Sequence, residues 1–139
     1  MAIVFGPTRW QALSFNPLAF AELGGAAAGG YIICCNGGTA WVIAPGSTEV
    51  SRNWFAREDA ITTAEAQAAC GDWFIPTCDQ GQNPGSTCLT YWDEYSNDRY
   101  WSSSGTPPFN LTFYPPTGSL QFWPSTSLAC VRAFRCVAY

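Results

Sequence analysis

The chain contains no lysine and no histidine, and charged side chains make up only 12% of its 139 residues. Without histidine there is neither a His general base nor an ordinary His-ligated metal site. With a net charge of −4 and no basic run, the electrostatic footprint that nucleic acid demands is missing. No stretch reads as a membrane-spanning helix, because Glu22 and several glycines interrupt residues 18–33. The first residues lack a basic segment followed by an uninterrupted apolar core, so the expectation is a protein without an export signal.

What is plentiful is apolar and aromatic: 47% hydrophobic, 16% aromatic and seven cysteines. That is ample for one core, and a chain of this length is expected to form one domain. Low charge beside many Gly, Pro, Ser, Thr and Trp residues suits a β-rich protein held in an assembly, set against the plainer alternative of a β-rich monomer. So many cysteines suggest disulfides and an oxidising destination. Seven is odd, so at least one thiol stays free or pairs between chains. In a reducing cytosol all seven would remain thiols.

Residues 1–30 read as an arm. Met1–Phe5 suits a short strand, Trp10, Leu13, Leu18, Phe20 and Leu23 are apolar anchors around Pro17, and Gly24–Gly30 is a small-residue linker. The arm docks on another protein or folds back on its own domain; the residues leave both open. The domain proper is expected over 31–139. Asn36-Gly37-Gly38 between two apolar runs is a hairpin signal, since Asn and Gly tolerate positive φ. Trp54 and Phe55 are expected core anchors. Thr62-Thr63-Ala64-Glu65 is a capping box opening a short Ala-rich helix that ends at Cys70-Gly71. Cys78 and Cys88 bracket a turn-rich loop that a disulfide would staple. Tyr91–Tyr95 suits a helical turn, and Tyr100–Ser103, Phe109–Tyr114 and Ser119–Trp123 read as strands, the last two joined at Thr117-Gly118. The closing stretch Ala129–Val137 has no Gly or Pro and reads as one central strand. In such a strand Cys130, Arg132, Phe134 and Cys136 share a face. Arg132 and Arg135 then need buried acceptors, carbonyl or carboxylate.

The order of these pieces carries a resemblance: Trp73-x-x-Pro76-Thr77, then Tyr100-Trp101-Ser102-Ser103, then Val131-Arg132-x-x-Arg135. It resembles the C-type-lectin-like domains related to the C-terminal domain of the Legionella collagen-like protein, copies of which occur in virion proteins of tailed phages, especially cyanophages. Phage versions are also similar at Thr39–Pro45 and from Asn83-Pro84-Gly85 to Tyr91-Trp92-Asp93. The resemblance covers roughly residues 31–137. It departs at Phe74, where many relatives have Arg, and after Thr77, where Cys78-Asp79-Gln80 stands in place of an early acidic residue. It implies an α+β fold with a short twisted antiparallel sheet, one or two short helices and long loops. It also implies a helix-to-last-strand tie, which would join Cys70 to Cys130 or Cys136.

The same resemblance implies a non-enzymatic structural protein on the exterior of a virion, assembled in the host cytoplasm and released by lysis. The position would be tail fibre, baseplate attachment or head decoration. Expected partners are other virion proteins and a host surface glycan or protein, within a symmetric homo-oligomer such as a trimer. Loops 79–99 and 103–108 would face outward, with Tyr91, Trp92, Asp93, Glu94, Tyr95 and Asp98 as a surface binding loop. The Ca²⁺-lectin strings Glu-Pro-Asn or Gln-Pro-Asp and Trp-Asn-Asp are not matched. Asp93, Glu94 and Asp98 offer some oxygens, but a solvated acidic loop is favoured and no metal or cofactor is expected. Aromatics such as Tyr91, Trp92, Tyr95 and Trp123 suit glycan stacking, though core or interface is the commoner use. The alternative function is a secreted or surface carbohydrate-binding lectin of cellular origin. Third comes an oxidase of the formylglycine-generating type, which shares the broad fold but would need a Cys nucleophile activated without His. Asn110-Leu111-Thr112 matches a glycosylation sequon and is taken as chance.

Overall fold

The structure, a computed structural model, describes residues 22–68 and 71–139. The expected anchors Trp10, Leu13, Leu18 and Phe20, the strand at Met1–Phe5, and Cys70 lie outside the described residues. The described chain is mixed α+β, mostly strands with two short helices. Strands β1 (Ala26–Ala27), β2 (Gly30–Asn36), β3 (Thr39–Ile43) and β9 (Phe134–Ala138) form one antiparallel sheet in that order. Strands β4 (Val50–Arg52), β8 (Ala129–Val131), β5 (Tyr100–Thr106), β6 (Phe109–Tyr114) and β7 (Ser119–Pro124) form the second. Among the described strands only β5 and β8 run parallel, meeting at Tyr100 and Cys130.

The hairpins follow from their turn residues. Gly37 and Gly38, at φ of 59° and 84°, form the two-residue turn between β2 and β3. Positive φ at both central positions matches the strands' right-handed twist. Gly118, at φ 76°, closes the β6–β7 hairpin in the same spirit.

Four expectations are corrected. Gly24–Gly30 is not a linker: β1 folds back on β2, pairing Ala26 with Tyr31 and Ala27 with Gly30, and the Gly24 N–H bonds the Ile32 carbonyl at 2.7 Å. Small residues serve here because a Cβ on Gly30 would lie 2.1 Å from the Ile43 carbonyl oxygen. The first helix, α1 (Asp59–Ala68), begins one turn before Thr62, with Asp59 in its first turn. The capping box lies instead at Thr77 and Gln80, opening the short α2 (Cys78–Gln80). Phe55 is 58% exposed, while Trp54 packs on Trp101 and Val131.

The fourth correction concerns the C-terminus. Ala129–Val137 is not one strand but two, β8 in the second sheet and β9 in the first, with Arg132 and Ala133 at the crossing. Residues 129–134 are all buried. The stretch therefore runs between the two sheets and contributes to three apolar clusters. Ala133 joins Ile32, Val42 and Trp73 beside α1; Phe134 and Cys130 join Ile33, Trp92, Tyr100 and Phe113; Val131 joins Trp101 and Ile75. Full burial of a Phe134-sized side chain contributes roughly 2–3 kcal/mol.

Candidate functional site

Arg132 is 2% exposed, and a buried guanidinium must have every N–H occupied. Nη1 donates to the Ala44 carbonyl at 3.0 Å and to Asp93 Oδ1 at 3.2 Å. Nη2 donates to Glu49 Oε1 at 3.0 Å and to the Glu94 carbonyl at 2.6 Å, and Nε also reaches Glu49 Oε1 at 3.2 Å. All five N–H groups are used. The Trp92 ring lies 5.3 Å from the guanidinium carbon and adds a cation–π contact.

The carboxylates are as occupied as the cation. Glu49, which sequence reading did not single out, also accepts from the Tyr100 hydroxyl and from Ser96 Oγ at 2.5 Å. Asp93 Oδ2 accepts the Gly46 N–H at 2.7 Å. The Glu94 side chain lies over Gly46, with Cγ 2.2 Å from where a Cβ would stand. Burial, then the Glu49 carboxylate, pushes the Tyr100 phenol well above its ordinary value. The same two causes, in the same order, raise the Cys130 thiol to about 11. A buried thiol held protonated is a poor nucleophile.

The residues expected to form one binding loop are divided by the fold. Trp92, Asp93, Glu94 and Tyr95, with Leu89 and Thr90, line an open groove of about 540 Å³. Trp92 is buried at its base, edge-on to Tyr100 and Phe134, so its ring is core rather than a stacking platform. Tyr95, 45% exposed, is the aromatic that solvent reaches. Tyr91 packs towards Gly24, and Asp98 accepts the Arg99 N–H at 2.8 Å. Trp123 stands edge-on to Trp101. The 79–99 loop is also less outward than expected, because Gly81, Pro84 and Gly85 are buried. Gly81 lies under Phe113, and Gly85 lies near the Phe134 ring.

Among the described residues no cluster of three or more His, Cys, Asp or Glu is placed to hold a metal. Arg135 pairs with Asp72 at 2.5 Å and donates to the Ala28 carbonyl at 2.6 Å, tying the β1–β2 turn to β9. Cys78 and Cys88 are free thiols, so the expected staple is not formed, and Cys130 and Cys136 are free as well. Cys78 belongs to α2, where its own N–H donates to Ser104 Oγ at 2.9 Å and the Gln80 N–H donates to Thr77 Oγ1 at 3.3 Å. Asn110 is fully buried, accepting from Ser125 Oγ at 2.5 Å and donating to the Ser104 carbonyl at 3.2 Å, which leaves its amide nothing to offer a glycosyl donor.

An exposed apolar patch lies elsewhere. Among the described residues strand β7 ends its sheet, carries no charged residue, and holds Phe122 at 61% exposure. Its cross-strand neighbours extend the patch to Leu111 and Phe109. No family model matches the chain, and no curated protein matches it.

Proposed function

We propose that this chain is a non-enzymatic structural protein of C-type-lectin-like fold on the exterior of a tailed-phage particle, in a tail-fibre, baseplate or head-decoration position. The observation that carries the reading is the meeting of the three motif segments around Arg132. Phe74 exchanges both backbone hydrogen bonds with Phe134, each at 2.8 Å. The Ser103 N–H bonds the Pro76 carbonyl at 2.8 Å, and Tyr100 lies beside Cys130. Segments far apart in the chain, and jointly similar to phage virion domains, are thus hydrogen-bonded neighbours.

Two further observations support a protein that grips rather than reacts. The ionic groups around Arg132 are spent on one another, Arg132 on Glu49 and Asp93, and burial and the Glu49 carboxylate hold the Cys130 thiol protonated. The exposed surface offers an uncharged apolar edge at β7, which suits contact with a neighbouring subunit. The second reading, a cellular glycan-binding lectin, is favoured by the groove beside Tyr95. Against its Ca²⁺-dependent form, both Asp93 oxygens already have partners.

Two experiments separate these readings. Antibody against the full chain should label intact purified particles, and truncation of residues 1–21 should leave a cooperative unfolding transition while abolishing incorporation. Particles free of the chain, or normal incorporation of the truncated form, would remove the particle role or the arm's part in it. Strong Ca²⁺-dependent glycan binding by the purified protein would move the assignment to the lectin.

A further inference from the structure

A β-bulge in β2 reorients a thiol. Ile32 pairs with Val42 and Cys34 with Trp41, which leaves Ile33 as the extra residue. In an uninterrupted strand Cys34 would share the face of Ile32, which packs beside α1 with Val42 and Ala64. With the bulge, Cys34 follows Ile33 onto the other cluster, against Trp92, Tyr100 and Phe134. Cys88 packs on that same cluster, at the head of the Leu89–Tyr91 turn. Burial, then the neighbouring Cys88 thiol, raises the Cys34 thiol above its ordinary value. Both residues are partly exposed, so a small reagent in solvent has access to the pair.

We propose that Cys34 and Cys88 are a modification site: on meeting a low-molecular-weight disulfide they form an intramolecular disulfide that fastens β2 to the 81–91 loop. One protein thiolate attacks the external disulfide, expels a small thiol and leaves a mixed disulfide; the second protein thiol then displaces the other small thiol. Two S–H bonds are lost and one S–S bond forms. The two electrons and two protons pass to the external disulfide, which becomes two thiols. Cys34 on β2 and Cys88 at the head of the Leu89–Tyr91 turn pack against one apolar cluster, so elements held by a common core bring the two thiols to the same place. The other described thiols are placed differently. Cys130 is buried beside Glu49, Cys136 lies near Asp72, Cys78 stands against Asp79 at 3.8 Å, and Cys35, next to Cys34 in β2, is exposed. The proposal does not depend on the particle role.

The test uses the full chain, equilibrated in glutathione buffers from reducing to oxidising, quenched in acid, alkylated and mapped by fragmentation mass spectrometry. The expected product joins Cys34 to Cys88, is two hydrogen masses lighter than the dithiol, and returns to it with dithiothreitol. The cross-link should survive Cys35→Ser and Cys78→Ser and vanish in Cys34→Ser and Cys88→Ser. Mapping of the unsubstituted chain decides the matter if a serine variant fails to fold. Cross-links from Cys88 to Cys35 or Cys78, glutathione adducts alone, or free thiols in the most oxidising buffer would each overturn it.

Discussion

Arg132 fills a position where the cation and its acceptors depend on one another. Replacing it with Ala leaves Glu49 and Asp93, whose side chains are 13% and 16% exposed, without their counter-charge. Removing one partner of a buried pair costs roughly 3–5 kcal/mol, because the remaining charge is stranded. Arg132→Ala should therefore lower the urea midpoint sharply, and Arg132→Lys should recover only part of it, since three donors cannot replace five hydrogen bonds to four acceptor atoms. An unchanged midpoint for either variant would contradict the brace. Cys130 gives a second expectation at this scale. Its pKa rises from 9.0 unfolded to about 11 folded. Below pH 9 the thiol is protonated in both states; between 9 and 11 only the unfolded state releases the proton, so stability falls as pH rises. The loss approaches about 1.4 kcal/mol for each unit of difference. Thermal midpoints measured from pH 8 to 11 should decline, and Cys130→Ala should decline less.

At the scale of elements, close backbone approach decides. A Cβ on Gly30 would meet the Ile43 carbonyl and carbon at 2.1 and 2.9 Å, so Gly30→Ala must separate β2 from β3. A cost of roughly 1–3 kcal/mol is expected, read as a lower denaturation midpoint, whereas Gly37 has open space around its Cβ position and resists Ala only through its φ of 59°. The hairpins at Gly37-Gly38 and Thr117-Gly118 were legible because each turn demands residues that few others replace. The split between β8 and β9 was not. Buried on every side, residues 129–134 carry no alternation and no Gly or Pro to mark the change of sheet. The β1 hairpin was equally hidden, since its alanines and glycines give no periodic signal. The Ile33 bulge, which turns Cys34 to the other face, left no mark in the sequence either. Glu49 was missed although Arg132 implied an acceptor, because nothing local distinguishes it from a solvated carboxylate.

For the molecule as a whole, β7 is the exposed liability. Among the described residues it ends its sheet, exposes Phe122 and Leu120, and has no charged residue of its own to repel another strand. Phe122→Lys should leave the thermal midpoint nearly unchanged, since the residue is largely in solvent, while reducing self-association measured by sedimentation velocity. Equal sedimentation of both forms at high concentration would show that this edge takes no part in self-association. The crossing at Arg132-Ala133 bears on how the fold comes apart. A single covalent thread stitched through both sheets means that neither can peel away alone. Amide protons of Val131 and Phe134 should thus exchange with deuterium only at the rate of global opening, and at a common one.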